Sequence, residues 1–162
     1  MKKYLVAPWR SGYIENLSSS QKSKCIFCEA TKKNSDAPVL EKGKKNFVIM
    51  NLYPYNTGHV MIVPYKHTND ILNLDEDEIT ELMKLTQKCI EVLKSILKPH
   101  GFNIGMNIGK SAGAGFADHI HLHIVPRWQG DESFLTIVGK SKVISVDVKK
   151  IFKKLKKEFN KK

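Results

Sequence analysis

Three of the chain's six histidines sit at alternate positions, His119, His121 and His123, in "DHIHLHIVPRW". In an extended strand, residues two apart share a face and lie about 6.5–7 Å apart. The three imidazoles then line one face, while Ile120, Leu122 and Ile124 go to the core. A half-exposed edge strand with chance histidines would give the same pattern. So would a metal row, although that spacing suits one ion poorly, because Zn–N bonds are near 2.0–2.1 Å. The third option is anion chemistry. A neutral imidazole is a nucleophile towards phosphorus, and a protonated neighbour can hold phosphate oxygens.

The preceding loop favours anion chemistry. "NIGKSAGAGFADH" places Gly109, Gly113 and Gly115 between Asn107 and His119. Glycines let backbone N–H groups approach phosphate oxygens closely. Cys25 and Cys28 form a second constellation, "CIFC". A C-x-x-C pair supplies two thiolates where zinc wants four ligands. The redox alternative needs a thioredoxin-like βαβ setting, which the sequence lacks.

These groups must be carried by regular elements. "NFVIMNL" (46–52) and "GHVMIVP" (58–64) read as a strand pair joined by "YPYNT". A long helix is expected from about Asp75 to Lys98. Its acidic first turn suits the helix dipole, and Pro99 and Gly101 stop it. Ile79, Leu82, Met83, Leu85, Cys89, Ile90, Leu93, Ile96 and Leu97 follow its period, so Cys89 reads as a small buried apolar residue. "FNIGMNIG" (102–109) and the histidine row supply further strands. Val148, Ile151, Phe152, Leu155 and Phe159 recur at helical spacing near the C-terminus, with Ser145 a candidate cap. The fold class is α+β with an antiparallel sheet.

Bulk properties limit the function classes. The 162 residues are 41% hydrophobic, which suits one globular domain with a real core. No apolar run approaches the roughly 20 residues of a membrane span. The apolar run in "MKKYLVAPWR" is too short for a secretory signal, so a cytoplasmic protein is expected. The three cysteines do not suggest a disulfide framework. The net charge is +11, much of it in "KKIFKKLKKEFNKK". That segment is either a nucleic-acid- or membrane-binding helix or an amphipathic helix with a solvated lysine face. The excess of positive charge favours anionic small ligands by steering.

The row "HIHLHIV" resembles the histidine-triad (HIT) pattern, in which three histidines alternate with apolar residues. "NLYPYNTGHVMIVPYKH" is similar to the segment preceding the triad in that superfamily of nucleotide hydrolases and nucleotidyl transferases. "APWR" and "PRWQGDESF" look like the bacterial diadenosine tetraphosphate phosphorylase branch. The resemblance implies a sheet of about five strands with a long central helix and a C-terminal helix. It makes residues 1–162 one domain, with a zinc-binding arm (1–36) and a basic helix (145–162). His121 would be the nucleophile that takes a nucleotidyl group, His123 a ligand of the α-phosphate, and His59 the support of both. Asn51 would bind the ribose, and Asn107 with Gly113, Ala114 and Gly115 the phosphates. Trp128 would pack near the nucleotide or within the core. Lys110, Ser111 and Arg127 are candidates to hold an incoming phosphate. His67 and His119 would join Cys25 and Cys28 around a structural zinc, and His100 would be a surface residue.

The reaction implied is diadenosine tetraphosphate plus phosphate giving ADP and ATP. A hydrolase or phosphoramidase is the alternative, and a low-turnover nucleotide-binding module the second. A homodimer is expected, with neither membrane nor nucleic acid as partner.

Overall fold

The computed structural model describes residues 24–131 and 147–161. The "APWR" segment, residues 132–134 of "PRWQGDESF" and Ser145 lie outside them. A short helix, α1 (Ile26–Ala30), precedes strands β1 (Val39–Lys42), β2 (Asn46–Met50) and β3 (Val60–Pro64). Then come α2 (Glu76–Leu97), β4 (Gly101–Met106), β5 (Leu122–Arg127) and α3 (Val148–Phe159). The strands form one antiparallel sheet in the order β1-β2-β3-β5-β4.

Helix α2 starts and stops where the sequence places it. Asp75 accepts from the Glu78 N–H at 2.7 Å, and Glu78 returns the bond to the Asp75 N–H at 2.8 Å. This reciprocal cap satisfies two orphan donors of the first turn. Lys98, at φ 48°, ends the helix in the left-handed region. The buried stripe is narrower than the apolar spacing suggests. Leu82, Leu85, Cys89, Val92 and Leu93 are buried, while Ile79 and Met83 face solvent.

The sheet is covered on both faces at its centre, so β2 and β3 are buried along their whole length. On one face Val48, Val60, Ile62, Leu122 and Ile124 pack against α2 and α3. On the other, Phe47, Ile49, Met61 and Val63 pack with Phe27 and Ala30 of α1. Alternation along each strand sorts residues between these faces. The histidines therefore project to the α1 side while Ile120, Leu122 and Ile124 are buried.

Helix α3 is capped by Asp147, whose carboxylate accepts from the Lys149 N–H at 2.8 Å. Ile151, Leu155 and Phe159 are buried. Lys156 donates to the carbonyls of Val39 (3.1 Å) and Leu40 (2.6 Å), tying α3 to β1. The Glu81 carboxylate on α2 accepts from the backbone N–H groups of Lys44, Lys45 and Asn46, each at 2.7 Å. Burial opposes its ionisation, but these donors outweigh it and hold its pKa below the usual carboxylate range. The β1–β2 turn is thereby locked to α2. Among the described residues, no helix is long and apolar enough to cross a membrane.

Candidate functional site

His119 and His121 lie just before β5, and His123 lies within it. All three side chains are positioned by hydrogen bonds that also assign their tautomers. His121 Nδ1 is 2.9 Å from the His119 carbonyl oxygen, so Nδ1–H donates and Nε2 keeps its lone pair. Burial lowers the pKa of His121, which keeps the ring neutral.

His59 is buried immediately before β3, after Gly58 at φ +75°. A Cβ at Gly58 would collide with Leu97 of α2, so only glycine permits this approach. The Tyr55 N–H donates to His59 Nδ1 at 3.1 Å, and Asn51 Nδ2 lies 3.3 Å from the same nitrogen. His59 Nε2 must therefore carry the proton, and it meets His123 Nδ1 at 2.9 Å. A neutral His123 then presents its proton on Nε2. The His121 and His123 rings are 4.7 Å apart, centroid to centroid. A nucleophilic nitrogen and an N–H donor stand side by side, which is what displacement at an anionic phosphorus needs.

Both rings open onto a cleft of about 510 Å³, of a size that suits a nucleotide-like ligand. Asn51, Gly115, Phe27 and Tyr55 also line it. Phe27 packs on His121 with centroids 4.9 Å apart, and Tyr55 on His59 at the same separation. Neither aromatic was singled out from the sequence. Phe27 sits between the two cysteines, where an apolar residue is the one usable signal.

Other expected residues take different places. The Asn107 amide donates to the Gly113 carbonyl at 3.2 Å and shapes the glycine loop. Gly109 and Gly113 adopt positive φ around a 3-10 turn at Lys110–Ala112. Of the expected phosphate-contacting residues, Gly115 lines the cleft, whereas Asn107, Gly113 and Ala114 do not. Trp128 is half-buried and outside that lining; its backbone N–H donates to the Asp131 carboxylate. Arg127 is engaged by Asp131 (2.6 Å) and Asn103 (2.7 Å), so its guanidinium buttresses the turn after β5 rather than awaiting an anion. His100 is exposed, as expected, and its Nδ1 accepts from the Gln129 N–H.

The second constellation assembles beside the first. One donor atom each from Cys25, Cys28, His67 and His119 lies within 4.8 Å of the others. His119 Nε2 donates to the Pro64 carbonyl at 2.9 Å, which turns Nδ1 towards the cluster. His119 Nδ1 is 3.3 Å from His67 Nδ1 and from Cys25 Sγ, and 3.7 Å from Cys28 Sγ. Cys28 Sγ is 3.4 Å from His67 Nδ1. A zinc tetrahedron has edges of about 3.3 Å between nitrogens and about 3.6 Å between nitrogen and sulfur, given its bond lengths. The four side chains fit zinc in number, type and spacing. Bound there, zinc would cross-link α1 to the start of β5.

Comparison with known proteins gives a consistent set of matches. The HIT domain matches residues 32–130. An AP-4-A phosphorylase of Mycobacterium tuberculosis is 52% identical over 106 residues, 65% of this chain and 54% of that protein. The chain thus spans about half the length of that relative. An uncharacterized HIT-like protein of Methanocaldococcus jannaschii is 33% identical over 82% of this chain and 98% of its own length. Among solved structures, a zinc-bound histidine triad family protein from Mycobacterium smegmatis aligns with a TM-score of 0.70 at 25% identity. That alignment covers 85% of this chain and 94% of that one.

Proposed function

Because the chain belongs to the HIT family, we propose that it is a nucleotidyl transferase that cleaves diadenosine tetraphosphate by phosphorolysis. The observation that carries this reading is the tautomer pair. His121 is neutral with Nε2 unprotonated, and His123 carries its proton on Nε2. His121 Nε2 attacks the α-phosphorus and the bond to the bridging oxygen breaks. ATP leaves, and the adenylyl group stays on the histidine. His123 N–H holds an α-phosphate oxygen, and His59 fixes His123 in that tautomer. Asn51 takes the ribose hydroxyls, and Asn107 with the Gly113–Ala114–Gly115 turn shapes the phosphate side. Inorganic phosphate then attacks the same phosphorus, displaces His121 and leaves as ADP.

Phosphate as second acceptor is supported by the 52% identity to the M. tuberculosis phosphorylase. Lys110 and Ser111, exposed beside the glycine loop, are the candidates to hold it. With diadenosine tetraphosphate and phosphate, ADP and ATP are expected, at a rate rising with phosphate. Two displacements at one phosphorus give net retention of configuration. AMP and ATP at a phosphate-independent rate would make the protein a hydrolase.

The reading takes residues 1–162 as one HIT domain acting in the cytoplasm, with residues 1–36 its zinc arm and residues 145–162 its basic helix. It also takes the protein as a homodimer with neither membrane nor nucleic acid as partner. Strand β4 is a sheet edge, and Ile104 (46% exposed) and Ile108 (47%) show apolar surface on and beside it. Proteins tend to cover such an edge, and a second copy would extend the sheet. Light scattering should give twice 18.4 kDa; a particle of 18.4 kDa across micromolar concentrations refutes the dimer.

A further inference from the structure

The cleft crosses the sheet. It begins at His123 on β5, passes Met61 on β3 and Ile49 on β2, and reaches residues 36–38 just before β1. That is three strand spacings, about 14 Å, of the order of a nucleotide's length. The β1 end is closed by chain that the HIT domain match does not include. Val148, Lys149 and Phe152, from the first turns of α3, line the cleft there with Asp36.

This wall is held firmly. Lys156 bonds to β1, Asp147 caps the helix, and Val148 and Phe152 pack against the main core. The Lys149 and Asp36 residues are exposed, and neither forms an ion pair among the described residues. A cation and an anion therefore stand ready at the far end of an apolar slot.

We propose that the first turns of α3 form the outer wall of the nucleobase site and, with Asp36, give it a preference for purines. The inference rests on the proposed placing of phosphate at His121 and His123. With phosphate there, the base lies against Phe27 and Ile49 and points towards α3. A purine carries its polar edge one ring farther from the sugar than a pyrimidine does. That edge pairs acceptor ring nitrogens, which suit the Lys149 ammonium, with exocyclic amine donors, which suit the Asp36 carboxylate. The purine's flat face meets Val148 and Phe152. A pyrimidine stops short of all four and leaves the wall uncontacted.

Binding of AMP and UMP, measured by titration calorimetry, tests this without requiring turnover. Wild type should bind AMP at least about tenfold more tightly than UMP, the range one added apolar contact can supply. Phe152→Leu and Lys149→Ala should each weaken AMP by about threefold or more and leave UMP nearly unchanged, narrowing the ratio. Lys149 is exposed, so its replacement leaves the core intact if Phe152→Leu proves unstable. Equal affinity of wild type for AMP and UMP overturns the proposal. So does an unchanged ratio in Lys149→Ala. If that ratio narrows in a protein that cleaves no dinucleotide, the base site stands and the proposed reaction falls.

Discussion

His121→Ala is expected to abolish turnover, by at least about 10⁴-fold, while nucleotide binding is largely kept. Removing a nucleophile removes the bond that defines the pathway, and losses of this size follow. Asn51, the glycine loop and the apolar cleft remain to bind the nucleotide. Wild type quenched during turnover should show an adenylyl adduct by mass spectrometry, and the variant none. The pH profile carries the sign of the pKa shift. Protonation removes the attacking lone pair, and burial lowers the pKa of His121, so protonation is deferred to lower pH. Activity should persist below about pH 6.5, the ordinary imidazole value, before the acid limb falls. Near wild-type rates in His121→Ala would refute the nucleophile. An acid limb above about pH 6.5 would argue against a neutral buried ring.

Local pattern made the histidine row and α2 legible in advance. Alternation alone places His119, His121 and His123 opposite Ile120, Leu122 and Ile124, and the α2 cap lies in its own four residues. Strand β1 was not assigned from the sequence. "VLEK" is short, half charged, and paired only with β2 across an irregular register. Its partners, Lys156 and Lys88 among them, are distant in sequence. The His59–His123 bond joins residues 64 apart, and no spacing rule reaches that far. Arg127 shows the opposite error. A basic residue after the triad suggested an anion ligand, but Asp131, four residues on, occupies it. Ile79 and Met83 fit the period of α2 yet face outwards, because periodicity marks a stripe without fixing its width.

Loss of zinc should cost stability as well as metal. Helix α1 has five residues and no side-chain cap, far too short to persist alone. Its attachments are Phe27 and Ala30 in the second core cluster and the four-ligand group at its start. One zinc per chain is therefore expected in purified protein, and Cys25→Ser should lower metal content and Tm together. With binding energy linked to folding, a loss of about 3 kcal/mol would lower Tm by roughly 10 °C. The metal should be lost more easily in acid, and its contribution to stability should shrink there. Burial and then the hydrogen bond with Cys25 push the Cys28 thiol up to about 11, so Cys28 is protonated without metal. Zinc must expel that thiol proton to bind, so its affinity falls as pH falls. A chelator should therefore strip the protein more readily at pH 6 than at pH 8. Because Phe27 also packs on His121, the stripped protein should bind AMP more weakly as well as melt earlier. Purified protein without zinc, with a Tm unmoved by chelator at either pH, would rule out the metal centre.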